Sequence, residues 1–439
     1  MPQVDILYLS DRMHIDDAII PPEITDALKH QGFVNPESRK IHFCGLVRVD
    51  RTLTVFLPRN NAHSVEPAGR VAYYLLRALA KFYRTRDTGI HADGQDELVT
   101  GGASLSTSVA LLEDYMCNGL YVRRTRIRTT NDGKVSWPRT AARSSAYPSA
   151  SGPIYLELCT SRTLYKADCM TARIHAAVMR ELLASLGMLW LGKSYPSDQQ
   201  LVGTPPPAGS HVVWITHLQK ELQVSYSERD IFLIRSLKAY LENKKGTEQG
   251  QLLIGVHKFH GLWEAMLDEC LVGKLRVNDR LPVPAYLNDK GKIELVAGKG
   301  QRTDTVLRSS DKHHIAIIDA KYYEAGSPKS APGWPDLVKQ FFYQQVVRNL
   351  YPDEHISNHF VFPGNAEKNL KAAFVAERDS KPTSPADCLA GYGPINCHYQ
   401  DPLELLRLYA TGDKLIKLTK EIFASGAAVL DAPLPSVLA

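Results

Sequence analysis

The feature that most constrains this chain is one nine-residue run, Ile315-Ala-Ile-Ile-Asp-Ala-Lys-Tyr-Tyr323. Its apolar start reads as a central strand, buried and rich in β-branched residues. An acid emerging from such a strand is costly unless something compensates it, and a ligand role would do so. Fifteen positions earlier, Asp304 falls in another strand candidate, 303–308. Two adjacent strands can bring both carboxylates to one edge of a sheet, with Lys321 beside them. Phosphodiester hydrolysis calls for this trio. Two carboxylates hold a hard Mg²⁺ through oxygen, while a lysine stabilises charge on the phosphorus-centred transition state or orients the water.

The short pattern alone is weak. Acid-any-Lys occurs at Asp132–Lys134, Glu242–Lys244, Asp319–Lys321 and Asp379–Lys381. Context separates them: the other copies fall in a turn, at a helix end and in a polar loop.

Around this run the pattern is α/β, α+β overall, with a mixed sheet. Strand-like runs at 41–49 and 53–57 precede helices at 66–86 and 104–118. A strand at 121–128 leads to a turn at 131–133 and a Ser/Ala/Pro-rich loop at 141–153. Helices follow at 167–186 and 228–245, separated by a bend at Pro205-Pro-Pro207. Beyond 251 come an amphipathic helix at 257–272 and strands at 281–287, 292–297, 303–308 and 315–323. A helix at 334–350 follows, expected to bury Leu337, Val338, Phe341 and Phe342. Strands at 357–362 and 372–375 complete the series. Three consecutive parts are expected: 1–120 for partner or DNA contacts, a basic and helical middle at 121–250, and a catalytic domain at 251–439.

A net charge of +5 permits a nucleic-acid partner without requiring one. Arg124, Arg126 and Arg128 alternate, so on a strand they share a face, and Arg139 adds to the most basic segment. They read as phosphate contacts or as a solvated strand edge. Seven dispersed cysteines with no CxxC pair read as reduced thiols. With a polar start and no 18-residue apolar run, a cytoplasmic setting without membrane is expected. There is no phosphate-loop motif and no zinc-finger spacing. His313-His314 is expected at the surface where its strand opens. The His355/His359 spacing lacks the helical geometry of a metal site.

Arg302-Thr-Asp304 followed by Ile317-Ile-Asp-Ala-Lys-Tyr-Tyr323 resembles the core of the PD-(D/E)XK nucleases, especially McrC-like and LlaJI-like restriction endonuclease subunits. Phe259-His-Gly-Leu-Trp-Glu264 is similar to the family's helix before the sheet, and Asp336-Leu-Val-Lys-Gln-Phe-Phe-Tyr343 to the helix after the catalytic strand. Gly133-Lys-Val-Ser-Trp-Pro-Arg-Thr140 and Thr171-Ala-Arg-Ile-His175 resemble the region upstream, so the likeness spans roughly 120–410. Thr303 stands where the family usually has proline. The resemblance implies a C-terminal PD-(D/E)XK core, a mixed sheet flanked by helices, joined to an N-terminal α+β region. It makes Asp304 and Asp319 metal ligands, with the Ala320 carbonyl as a further one, and Lys321 the charge-stabilising group. Glu264 is either another carboxylate of the site or a solvated acid, and Gln340 either faces the site or is exposed.

Also implied are Mg²⁺ with Mn²⁺ as a substitute, double-stranded DNA as substrate and a restriction or phage-defence role. An McrB-like AAA+ GTPase is the implied partner, and a homo-oligomer is a further expectation. The alternatives are a repair or recombination nuclease with the same core, and a non-catalytic regulatory subunit of a GTPase complex.

Overall fold

The computed structural model describes residues 5–17, 19–49, 52–59, 68–87, 99–100, 102–191, 198–244, 252–296, 300–364 and 370–427. Met1 to Val4, and positions 66, 67, 245 and 297 of the expected elements, lie outside them. Among the described residues, no helix is long and apolar enough to cross a membrane.

The chain divides into two compact units, one from Met1–Gly102 with Gly250–Ala439, the other from Ala103–Gln249. This differs from the three consecutive parts expected above, and one strand explains why. Leu252–His257 pairs antiparallel with Phe43–Val49, so residues far apart in sequence share a sheet. That sheet also holds Asp5–Ser10, which runs parallel to Thr52–Leu57, and the short Val99–Thr100. Gly45 and Gly255 face each other in the pairing. A Cβ on Gly255 would meet the Cys44 carbonyl at 2.5 Å, so the two backbones approach as only glycine permits. Helix Pro22–His30 packs Ile24, Ala27 and Leu28 into the core under this sheet, with Phe33, Phe43 and Phe56.

A second five-stranded sheet of the same unit runs in the order Thr305–Arg308, His314–Ala320, His355–Pro363, Ile395–Gln400, Ala372–Ala373. Its first and last pairings are antiparallel and the inner two parallel, so it is mixed as expected. Every residue of His314–Ala320 is buried. Helix Trp334–Leu350 covers one face, where Tyr343 and Val347 meet Ile315, Ile317 and Ile356. Helix Ile416–Ala427 packs on the other, with Phe423 edge-on to His314.

Several sequence expectations are corrected here. On the 334–350 helix, Leu337, Gln340, Tyr343 and Val347 are buried, whereas Val338 and Phe342 are 46% and 41% exposed. The helix is rotated so that its 337/340/343/347 stripe meets the sheet, a rotation the several apolar neighbours left ambiguous. His314 is buried, not at the surface, and its ring nitrogen bonds Ser357. Strand 281–287 shrinks to Ala285–Leu287, paired with Ile293–Leu295 in an exposed hairpin. The 257–272 helix shortens to His260–Cys270.

In the other unit, Arg123–Thr130 pairs antiparallel with Cys159–Lys166, and Lys134–Val135 flanks the latter. The loop expected at 141–153 contains Ala146–Tyr147, paired with Ile154–Tyr155, and 137–143 is helical. The helix expected at 167–186 is Met170–Leu182 followed by a π segment, Leu183–Gly187, and a further helix, His211–Val224, follows the proline bend. His175 is buried and accepts from the Tyr121 N–H at 3.1 Å, a structural bond.

Candidate active site

Asp304 directly precedes strand Thr305–Arg308, and Asp319 is the penultimate residue of His314–Ala320. The two strands pair antiparallel with Thr305 opposite Ile318, which brings the two acids side by side. The Ala320 N–H donates to Asp304 Oδ2 at 2.9 Å and fixes that carboxylate against the strand end. Asp304 is raised to about 7 by burial first, and then by the negative charge of Asp319.

Thr303 holds the approach to Asp304. Its N–H and hydroxyl both donate to Asn278 Oδ1, at 2.9 and 2.8 Å, and its carbonyl accepts from Asn278 Nδ2. Proline at this position could make neither donor contact, which gives the departure from the expected motif a local reason.

Asp319 is 2% exposed and lies between two ammonium groups. Lys321 Nζ is 2.8 Å from its Oδ2, and Lys339 Nζ is 3.1 Å from its Oδ1. Each oxygen of Asp319 thus carries one ammonium group. Lys321 also reaches Asp336 Oδ1 at 2.7 Å. Burial works against its charge, but Asp319 and Asp336 outweigh it and hold the ammonium above its ordinary pKa. Lys339 is raised in the same way, burial being overcome by Asp319 and Asp304.

Asp336 and Lys339 escaped the sequence reading as individual residues, although the stretch containing them was singled out. With Gln340 and Tyr343 they form an i, i+3, i+4, i+7 stripe on one helix, a polar periodicity that could have revealed them. Gln340 is 1% exposed, so the exposed reading is excluded, and among the described residues neither of its amide atoms has a hydrogen-bond partner. Tyr343 donates its hydroxyl to the Arg302 carbonyl and so ties this helix to the segment leading into Asp304.

Tyr322, next to Lys321, points to the opposite side. Its ring packs tilted against Phe259 and Trp263, with centroids 4.9 and 5.9 Å away, and its hydroxyl accepts from the Arg59 N–H at 2.9 Å. Glu264 is half-buried on His260–Cys270. Among the described residues, no group of three or more His, Cys, Asp or Glu gathers as a metal cluster, so Glu264 does not join Asp304 and Asp319 in this arrangement.

Two adjacent buried carboxylates suit a hard cation that binds through one or two acids and keeps several waters. They do not suit a structural zinc, which takes a closed four-coordinate set of cysteine and histidine ligands.

Arg124, Arg126 and Arg128 lie in the other unit on one face of strand Arg123–Thr130, and all three are exposed. Their cross-strand partners on that face are Tyr165, Thr163 and Ser161. Tyr165 is 69% exposed, with the Arg124 guanidinium 6.0 Å from its ring centroid. Arg126 Nε donates to Ser161 Oγ at 2.9 Å. Arg139 is half-buried on helix Trp137–Arg143, whose Trp137 is 60% exposed.

Comparison with known proteins gives three findings. The family model described as LlaJI restriction endonuclease matches residues 43–377. The type II restriction enzyme BsuMI component YdjA of Bacillus subtilis (strain 168) is 22% identical over 371 residues, covering 79% of this chain and 78% of its own. A chain from the half-complex of the tetradecameric assembly of Thermococcus gammatolerans McrB AAA+ hexamers with bound McrC aligns with 93% of this chain and 98% of its own. That alignment has 14% identity and a TM-score of 0.40.

Proposed function

Since the chain belongs to the LlaJI restriction endonuclease family, we propose that it is the DNA-cleaving subunit of a restriction system, acting in the cytoplasm as a metal-dependent phosphodiesterase of the PD-(D/E)XK type. The observation that carries this reading is the meeting of Asp304 and Asp319 at one strand edge with Lys321 2.8 Å from Asp319. Glycosidic and acyl chemistry also use paired carboxylates, but neither calls for a lysine ammonium held on the pair.

Asp304, Asp319 and the Ala320 carbonyl would hold Mg²⁺ or Mn²⁺. The bound cation would supply Lewis-acid stabilisation of phosphoryl oxygens and a more acidic attacking water. Lys321, kept charged by Asp319 and Asp336, is placed to stabilise the negative charge that builds up on the phosphorus-centred transition state. Gln340, buried on the helix that carries Lys339, would orient water through its two unpaired amide atoms. Arg124, Arg126, Arg128 and Arg139 would contact backbone phosphates, giving affinity without sequence readout.

An McrB-like AAA+ GTPase partner belongs to the proposal on the strength of the McrC-like motif order from 133–140 through 302–323. The Bacillus relative, named as a component of its enzyme, supports a multi-subunit assembly.

The test is nicking or linearisation of supercoiled plasmid with Mg²⁺ or Mn²⁺, by the wild type and by Asp319→Ala and Lys321→Ala, each alone and with an McrB-like subunit plus GTP. Cleavage abolished by both substitutions, a loss of roughly 10³-fold or more, is expected. Equal activity in all three proteins would place the chemistry elsewhere. GTPase stimulation without any DNA scission would favour a regulatory subunit.

A further inference from the structure

Lys339 is unexplained by a two-carboxylate, one-lysine centre. Its ammonium is 3.1 Å from Asp319 Oδ1, on the carboxylate oxygen that Lys321 leaves free. It is also close enough to Asp304 for that acid to raise its pKa. The other cation is tethered differently: Lys321 is anchored at 2.7 Å by Asp336. Among the described residues Lys339 faces the two acids assigned to metal binding and the ring of Tyr343, whose centroid is 5.6 Å away.

Charge bookkeeping makes this placement consequential. Three acids, Asp304, Asp319 and Asp336, are opposed by two ammonium groups, so the buried cluster is close to neutral without any divalent ion. A cation entering between Asp304 and Asp319 meets Lys339 already on one of its ligand oxygens. Like charges at that distance in a buried setting repel strongly. Both cannot occupy Asp319 Oδ1, and the lysine is the one with a flexible four-carbon stem and a third of its side chain exposed.

We propose that Lys339 is a resident stand-in for the divalent cation. It neutralises Asp319 in the metal-free protein, competes with the incoming ion, and on displacement turns its ammonium to a phosphate of the bound DNA. This rests on the proposed assignment of Asp304 and Asp319 as metal ligands. It adds a group that couples metal entry to phosphate binding. Metal then binds more tightly when DNA is present, because the displaced ammonium gains a phosphate partner, and by linkage DNA binds more tightly when metal is present.

The experiment is Mn²⁺ titration of the full chain by calorimetry or by electron paramagnetic resonance of free Mn²⁺, with no DNA. Wild type, Lys339→Gln, Lys339→Arg and Asp319→Ala are compared, and thermal melts confirm folding. Lys339→Gln is expected to bind Mn²⁺ about ten-fold more tightly or better, Lys339→Arg to remain near wild type, and Asp319→Ala to lose binding. A second arm measures affinity for a short duplex with Ca²⁺ as a non-cleaving ion. Lys339→Gln should lose affinity there, and its salt dependence should fall by about one phosphate contact.

Mn²⁺ affinity unchanged or weakened by Lys339→Gln, with Asp319→Ala still abolishing it, would overturn the stand-in role and leave the metal assignment standing. Binding that survives Asp319→Ala would overturn both. Binding absent in wild type but gained by Lys339→Gln would support the role in its strongest form.

Discussion

Asp304 carries a liability that a single atom exchange can expose. Burial and the neighbouring Asp319 raise its pKa from 3.8 to about 7. The shift is roughly three pKa units, equivalent to about 4 kcal/mol for an isolated group. Because Asp304 shares its environment with Asp319 and Lys339, roughly 2–4 kcal/mol is the part assignable to this one position. The sign follows from the direction of the shift. A raised acid favours the folded state while protonated, so its contribution is fully present below pH 3.8 and is lost as pH climbs through about 7.

Asp304→Asn keeps the shape, and its amide oxygen can still accept from the Ala320 N–H, but it removes the charge. Without metal at pH 8, the variant should therefore unfold later in denaturant by about 2–4 kcal/mol, with the advantage shrinking toward pH 4. Mg²⁺ should raise the Tm of wild type and leave the variant unmoved, and the variant should not cleave plasmid. Denaturant melts at pH 8 and pH 4.5, each with and without Mg²⁺, supply the measurement. A variant less stable than wild type at pH 8, or an advantage equal at both pH values, would refute the reasoning.

Two further outcomes are expected. Replacing Arg124, Arg126 and Arg128 together by alanine should weaken duplex binding and reduce the slope of log affinity against log salt by about two to three, as read by fluorescence anisotropy at several salt concentrations; an unchanged slope would assign the strand to some other role. Gly255→Ala forces a Cβ to within 2.5 Å of the Cys44 carbonyl, so it should cost about 1–3 kcal/mol or more in denaturant melts and open the first sheet to limited proteolysis.

What the sequence revealed and what it hid divide along the range of the interactions. The 315–323 run announced its burial through composition, and Asp304 and Asp319 were brought together by nothing more remote than an antiparallel pairing of neighbouring strands. The helix over 334–350 was legible to its ends, with Pro335 in its first turn and polar residues marking its period. Its rotation was not legible, because Val338, Phe341 and Phe342 offer an apolar alternative to the Leu337, Gln340, Tyr343 and Val347 face. Only the sheet beneath selects between them, and that selection is what aims Asp336 and Lys339 at Lys321 and Asp319. The pairing of 252–257 with 43–49 is longer in range still. No local pattern specifies it, and its one trace is a pair of glycines, Gly45 and Gly255, whose meaning appears when they are seen opposite each other.

That long-range pairing bears directly on the part of the chain that carries Asp304 and Asp319. Side chains alternate along a strand. Asp319 and Lys321 therefore point to one side, toward the helix of Lys339, while Tyr322 turns to the other. There Tyr322 is buried against Phe259 and Trp263, and its hydroxyl holds the Arg59 backbone just beyond strand Thr52–Leu57. Asp11, from the turn after Asp5–Ser10, is buried in the same neighbourhood, and burial raises its pKa to about 6 against the lowering influence of Arg12 and Tyr322. The N-terminal sheet is thus fastened one residue away from Lys321. A displacement of that sheet would be transmitted through Tyr322 to the strand end carrying the two acids, whereas a loosely tethered accessory domain would move without disturbing them. Integration of the first hundred residues with the sheet that carries Asp319 into one unit, rather than a serial arrangement of domains, is the arrangement that makes such transmission physically direct.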